Sequence, residues 1–199
     1  MRSPLDPGYY CSDELRTFGF KAVGENVRIS RDCTVIGAAN ISFADNARID
    51  SGTAIIATTG QVRFLGRNHI GGQCHFCAAA DLTFGEFSGT SQGVRIYTAS
   101  DDYSGKRMMG PMVPADLRGS RTRPINIEKH VAIGAGSVVL PGYHIGEGTT
   151  VGALSLVNHP LKPWGIYHGD PAKLVKARSR DVLDLEVMLK ARIATLCVR

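Results

Sequence analysis

Aliphatic residues recur every sixth position through much of this chain. The clearest run is Ile127-Glu-Lys-His-Val-Ala, Ile133-Gly-Ala-Gly-Ser-Val, Val139-Leu-Pro-Gly-Tyr-His, Ile145-Gly-Glu-Gly-Thr-Thr and Val151-Gly-Ala-Leu-Ser-Leu. Each block opens on an aliphatic residue, Gly often follows, and a small residue or Val sits fifth. A six-residue period predicts a β-helix, in which stacked coils of three short faces bury a narrow apolar column. Leading aliphatics then point inward, and glycines accept the backbone conformations of the corners.

Upstream, a longer period is superimposed on the hexads. Val23, Phe43, Phe64 and Phe84 open similar segments 20, 21 and 20 residues apart. Three hexads make eighteen residues, so each early coil carries two or three extra residues at one corner. Ile127 and Ile145 are 18 apart, where the short period returns. The pattern predicts about six coils.

Three segments fall outside the repeats. Residues 1–22 form an N-terminal extension with a short helix, capped by Ser12 and carrying Asp13 and Glu14 in its first turn. Residues 98–124 interrupt the coils of the 23–158 domain, and a loop of this length in a compact domain is usually functional. Residues 159–199 form an exit segment, marked by Pro160, Pro163 and Pro171, followed by a C-terminal helix. That helix is expected to start near Ser179 and to pack an apolar stripe of Val182, Leu185, Leu189, Ile193 and Leu196.

Composition narrows the class. At 199 residues with 43% hydrophobic and 21% charged residues, the chain suits one well-buried globular domain. Its net charge of +5 is scattered and lacks interleaved aromatics, which argues for anionic small molecules rather than nucleic acid. No apolar run reaches transmembrane length, and the start lacks a signal-peptide core, so a cytoplasmic protein without membrane insertion is expected. Cys74 and Cys77 form a C-x-x-C with no second pair to complete a zinc site; Cys33 and Cys74 sit at inward positions, as buried thiols do.

The motifs outside the hexads resemble those of the hexapeptide-repeat acyltransferases. Gly169-Asp-Pro-Ala-Lys173 is similar to that family's exit motif, and Val94-Arg-Ile-Tyr-Thr-Ala-Ser-Asp101 resembles a segment that ends on the catalytic His in maltose and galactoside O-acetyltransferases. Here Asp101 takes that place. Ser100-Asp-Asp-Tyr-Ser-Gly105, Phe18-Gly-Phe-Lys-Ala-Val and Val151-Gly-Ala-Leu-Ser-Leu together resemble nucleotide-amino-sugar N-acyltransferases of the viosamine type.

That resemblance implies a left-handed parallel β-helix and a homotrimer with active sites between subunits. It implies acetyl-CoA as donor, no metal, and a dTDP-linked 4-amino-4,6-dideoxy sugar for O-antigen synthesis as acceptor. An amine is a better nucleophile than a hydroxyl, so the demand for a strong base is smaller. His69 is the candidate proton acceptor and Asp101 the group that steers the substrate ammonium. Asp102, Tyr103 and Ser104 are candidate substrate contacts, although Asp side chains also simply stabilise loop turns. Gly134, Ala135, Ala153 and Ser155 match positions lining the coenzyme A groove, and Lys173 and Lys176 could meet its phosphates. Asn158-His159 stands where many relatives carry Thr-Lys.

Three other readings compete. An O-acetyltransferase needs a base more than position 101 supplies. A γ-type carbonic anhydrase needs a zinc-binding His pair five apart, whereas His69 and His75 are six apart. A β-helix can also serve as a scaffold without catalysis.

Overall fold

The computed structural model describes residues 5–197. It is a left-handed parallel β-helix of about seven turns, one more than the sequence predicts. Each turn crosses three faces. Face 1 stacks Ala22–Val23, Ile41–Phe43, Val62–Phe64, Leu82–Phe84 and Ile125–Ile127, and continues as single bridges at Ile145 and Leu161. Face 2 runs from Arg28–Ser30 through Arg48–Ile49, His69–Ile70, Gly89–Thr90, Ala132–Ile133 and Thr150–Val151 to Gly165–His168. Face 3 stacks Thr34–Ile36, Ala54–Ile56, His75–Cys77, Arg95–Tyr97, Val138–Val139 and Leu156–Val157. The extra turn arises because stacking does not stop at Val157: Leu161 is buried over Ile145, and Ile166–Tyr167 pairs with Thr150–Val151.

The leading residues of the repeats fill the core. On face 1, Phe43, Phe64 and Phe84 lie directly above one another, with ring centroids 4.7 and 4.9 Å apart and planes within 8°. Each ring is at least 98% buried, so each contributes on the order of 1.5–3 kcal/mol of apolar transfer energy. The early period of 20–21 is explained at the corner between faces 3 and 1, where 37–40, 57–61 and 78–81 supply the additional residues. The 98–124 insertion leaves from this same corner, between Tyr97 and Ile125.

One of the three corners uses fewer glycines than expected. At the corner leading into face 2, the left-handed conformation is taken by Asn26, Asn46, Arg67, Phe87, His130 and Trp164, with Gly148 the one glycine in the row. Some glycines that follow the leading aliphatics serve close packing instead. A Cβ on Gly134 would lie 2.4 Å from the backbone nitrogen of Ala153 in the next coil.

Antiparallel strands cover both ends of face 2, which keeps its edges from pairing with another chain. Tyr9–Tyr10 pairs with Arg28–Ser30, and Lys173–Ala177 pairs with Gly165–His168. Helix α1 spans Ser12–Arg16. Its cap differs from the expected one. Cys11 occupies the capping position, its N–H donating to the Glu14 carboxylate at 2.9 Å, while Ser12 is the first helical residue and accepts from the Val27 N–H.

Helix α2, Val182–Cys197, follows as predicted, but its apolar stripe is not what docks it. Leu185 is 60% exposed, Val182, Leu189 and Ile193 are half-buried, and the side chain of Leu196 lies outside the described residues. The buried contact is polar: Glu186 reaches Lys129 at 2.6 Å and the Nε2 of His130 at 2.7 Å.

Candidate functional site

Strand alternation turns His69 outward on face 2 while Asn68 and Ile70 are buried on either side of it. Its Nε2 lies 2.8 Å from Oδ2 of Asp50, one coil earlier. The other oxygen of Asp50 accepts from Tyr9 Oη at 2.8 Å and Arg48 Nε at 2.6 Å, and Arg48 also donates to Tyr9. Partial burial would raise the Asp50 pKa. The hydrogen bonds from His69, Tyr9 and Arg48 outweigh that and hold it below the ordinary carboxylate value. The carboxylate therefore stays charged and fixes the direction of the imidazole.

Past His69, face 2 becomes shallow. The next outward positions in register are Gly89, Ala132 and Thr150. A Cβ on Gly89 would lie 2.3 Å from the carbonyl oxygen of His69, so no side chain can occupy the space beside the imidazole. A cavity of about 240 Å³ results, lined by Arg67, His69, Phe87, Ser91 and Ala132 among others. Ser91 is exposed, and no motif in the sequence marks it.

Asp101 lies elsewhere. It follows Ala99–Ser100, which pairs antiparallel with Arg121–Thr122 to form the stem of the inserted loop at the face 3–face 1 corner. One of its carboxylate oxygens accepts from the Gly110 N–H at 3.2 Å. The structure thus does not bring Asp101 and His69 together within one chain.

Asp102 binds its own loop: its carboxylate accepts from the Ser104 N–H and Oγ and from the Arg107 N–H, and these bonds lower its pKa, the Ser104 hydroxyl most. Ser104 is therefore engaged with Asp102, whereas Tyr103 is 83% exposed.

The positions matched to the coenzyme A groove continue the face 2 side. Gly134 and Ala135 stack against Ala153 and Leu154, with the Leu154 N–H donating to the Ala135 carbonyl at 2.8 Å. Ala153 is exposed. Ser155 is buried, its hydroxyl donating to Gly152 O and accepting from the Gly169 N–H, so it shapes the coil from within. Lys173 and Lys176 are exposed on the terminal strand.

The remaining histidines separate clearly. His69 and His75 start strands on faces 2 and 3 rather than occupying corners of one coil. His144 faces Glu128 at 3.0 Å, and His159 faces Asn158. His130 is buried, lies flat against Phe87 with centroids 5.1 Å apart, and bonds to Glu186. Among the described residues no group of three or more His, Cys, Asp and Glu is placed to hold a metal ion. Cys11, Cys33, Cys74 and Cys77 are free thiols, and burial pushes Cys33 up to about 11. No helix of the described residues is long and apolar enough to cross a membrane.

No protein-family model matches the chain. Individual relatives do. A dTDP-4-amino-4,6-dideoxy-D-glucose acyltransferase of Escherichia coli is 36% identical over 177 residues, covering 89% of this chain and 92% of the relative. The N-acyltransferase AntD of Bacillus cereus, solved with dTDP and 3-hydroxybutyryl-CoA, superposes with a TM-score of 0.90 at 34% identity, over 94% of this chain and 98% of its own. A serine variant of AntD holding dTDP-4-amino-4,6-dideoxyglucose and coenzyme A gives 0.88 at the same identity, over 92% and 98% of the two chains. With its coil stack, its exit motif and these relatives, the chain belongs to the hexapeptide-repeat acyltransferases, in the branch of the nucleotide-amino-sugar N-acyltransferases.

Proposed function

We propose that this enzyme transfers an acyl group from coenzyme A to the 4-amino group of a dTDP-linked 4-amino-4,6-dideoxy sugar. The observation that carries the reading is the face 2 cavity: a carboxylate-oriented imidazole beside a wall that glycine keeps clear. Relatives of this chain hold both dTDP-sugar and coenzyme A.

The neutral amine attacks the thioester carbonyl, the C–S bond breaks, and the amine nitrogen loses a proton while the thiolate leaves. The substrate arrives as an ammonium, which Asp101 attracts and aligns and which gives up one proton to solvent before attack; His69, oriented by Asp50, accepts the second proton as the amide forms. AntD variants altered at an aspartate and at a serine ten positions before it have been solved. Ser91 and Asp101 have the same spacing here, which supports roles for both.

Because His69 and Asp101 lie on different sides of one coil stack, a complete site needs a second subunit. We assign a homotrimer in which the loop at 98–124 of one chain reaches the face 2 groove of the next. Tyr103 and Met112, 83% and 94% exposed, give that loop apolar surface to bury. Gly134, Ala135 and Ala153 would pass the pantetheine arm, with Lys173 and Lys176 near the phosphates and Ser155 supporting the turn. The product suits lipopolysaccharide or another surface polysaccharide. The free thiols suit the reducing cytoplasm.

Incubation with acetyl-CoA or 3-hydroxybutyryl-CoA and a panel of dTDP-linked sugars, read by product mass, tests this. Transfer to the 4-amino sugar and not to its 4-hydroxyl counterpart is expected. Equal transfer to both, or to neither, overturns the reading. Comparing the two donors decides the acyl chain.

A further inference from the structure

His69 and Ser91 account for only part of the face 2 cavity. Its cation, Arg67, has no assigned task. Arg67 lines the cavity two residues before His69, and among the described residues no carboxylate lies within ion-pair distance of it. Its acidic neighbours are committed elsewhere. Asp45 accepts from the Glu25 N–H at 2.8 Å, and the Glu86 carboxylate faces Lys129 and Lys190, each at 3.9 Å. Other arginines of the early coils are bound: Arg48 to Asp50, Arg63 to Asp81, Arg31 to Glu14.

The backbone at Arg67 gives an independent indication. Arg67, Phe87 and His130 take φ of 50°, 60° and 58° at the same corner of three successive coils. For bulky side chains this left-handed conformation costs on the order of 1–2 kcal/mol each. The two preceding coils use Asn26 and Asn46, which tolerate it, and the following coil uses Gly148. Three of the four bulky residues in this row thus lie on the coils that border the cavity, the fourth being Trp164 in the last coil. Their side chains form a pillar: the Arg67 guanidinium lies 5.8 Å from the Phe87 ring centroid, Phe87 stacks on His130, and Glu186 of α2 bonds to His130.

We infer that Arg67 is the anion anchor of the acceptor subsite, gripping the diphosphate of the nucleotide-linked sugar while the Phe87–His130 pillar holds it at the cavity edge. The inference rests on the reading of the acceptor given above. A guanidinium fork suits two phosphate oxygens, and nothing else in the cavity lining carries permanent positive charge. Arg67 and His69 line one cavity, so a pyranose seated between them would turn its C1, which carries the diphosphate, to the guanidinium and its C4 amine to the imidazole. The donor's phosphates have their own cations, Lys173 and Lys176, beyond the far end of face 2. Four strand spacings separate His69–Ile70 from Gly165–His168, about 19 Å. Acceptor and donor would thus enter from opposite ends and react between them.

Calorimetric titration of wild type, Arg67→Gln, Arg67→Lys and Arg95→Gln with dTDP, thymidine and coenzyme A tests the assignment. Arg95 is an exposed arginine on face 3 and controls for the loss of net charge. Arg67→Gln is expected to weaken dTDP binding roughly 10- to 100-fold, the range of a charge-assisted contact. Thymidine and coenzyme A binding should change less than about 2-fold, and Arg95→Gln should bind all three as wild type does. Arg67→Lys should fall between wild type and Arg67→Gln, and in turnover the defect should appear in KM for the sugar nucleotide rather than in kcat. Undiminished dTDP affinity in Arg67→Gln overturns the inference, as does an equal loss for thymidine or a loss confined to coenzyme A. A wild-type protein that binds no dTDP would instead remove the acceptor assignment itself, and the anchor with it.

Discussion

His69 Nε2 is 2.8 Å from Asp50 Oδ2, and Asp50 in turn is held by Tyr9 and Arg48. The imidazole is half open to solvent, its side chain 61% exposed, whereas the Asp50 side chain is 19% exposed. Imidazole and orienting carboxylate thus come from successive coils. His69→Ala should lower kcat by roughly 10²–10⁴ if the imidazole takes the proton. Asp50→Asn keeps the shape and loses the charge that orients the imidazole, and should lower kcat less than His69→Ala does. Steady-state kinetics checks both variants; unchanged turnover in His69→Ala would remove the base assignment.

Asp101 and His69 sit on different sides of the stack, which makes subunit mixing informative. His69→Ala and Asp101→Asn proteins should each be impaired, and the homotrimer proposed above predicts what a mixture of them does. When the two variants are co-assembled at equal ratio, about one site in four combines an intact His69 from one chain with an intact Asp101 from its neighbour. Activity should return to about a quarter of the wild-type level on that count. No recovery in verified mixed assemblies would remove one of the two residues from the site.

The Phe43–Phe64–Phe84 ladder gives a stability prediction independent of chemistry. Phe64 is sandwiched between two rings and 99% buried. Phe64→Ala should cost about 3–5 kcal/mol, and Phe64→Leu distinctly less because the cavity left is smaller. Chemical denaturation of the two variants side by side checks the order. Equal costs would mean that the neighbouring coils collapse into the space.

The coil stack was legible because its cause is local: one inward aliphatic per short strand repeats along the chain, as Ile127, Ile133, Val139 and Ile145 do. The seventh turn was not, since Leu161 and Tyr167 lead segments broken by Pro160 and Pro163. The site was half legible. His69 and Asp101 stood out by residue type and motif, but the Asp50 that orients His69 is 19 residues away. Only the early coil length brings it alongside. The sequence assigns His130 no task, because its partner Glu186 is 56 residues distant on α2. Left-handed corner residues such as Arg67 carry no sequence mark, because the hexads mark the inward aliphatics and not which residue between them turns the corner.

Glu186 yields the pH-dependent prediction. Partial burial alone would raise its pKa, but hydrogen bonds from Lys129, Lys190 and His130 dominate and hold it at about 2, below its ordinary 4.5. A carboxyl depressed in the folded state adds stability above its unfolded pKa, and that stability is lost as pH falls through the folded value. The ion cluster should therefore secure α2 at neutral pH and weaken progressively between about 4.5 and about 2. Glu186→Gln should destabilise α2 docking by about 1.5–3 kcal/mol at pH 7, the range for hydrogen bonds to charged groups. The gap between wild type and variant should shrink across the acid window, since wild-type Glu186 becomes neutral there too. Hydrogen exchange of the α2 amides in both proteins, from pH 7 down to the acid limit of folding, checks this. A gap that is constant with pH would mean that packing by Val182 and Leu189, rather than the Glu186 charge, holds the helix to the stack.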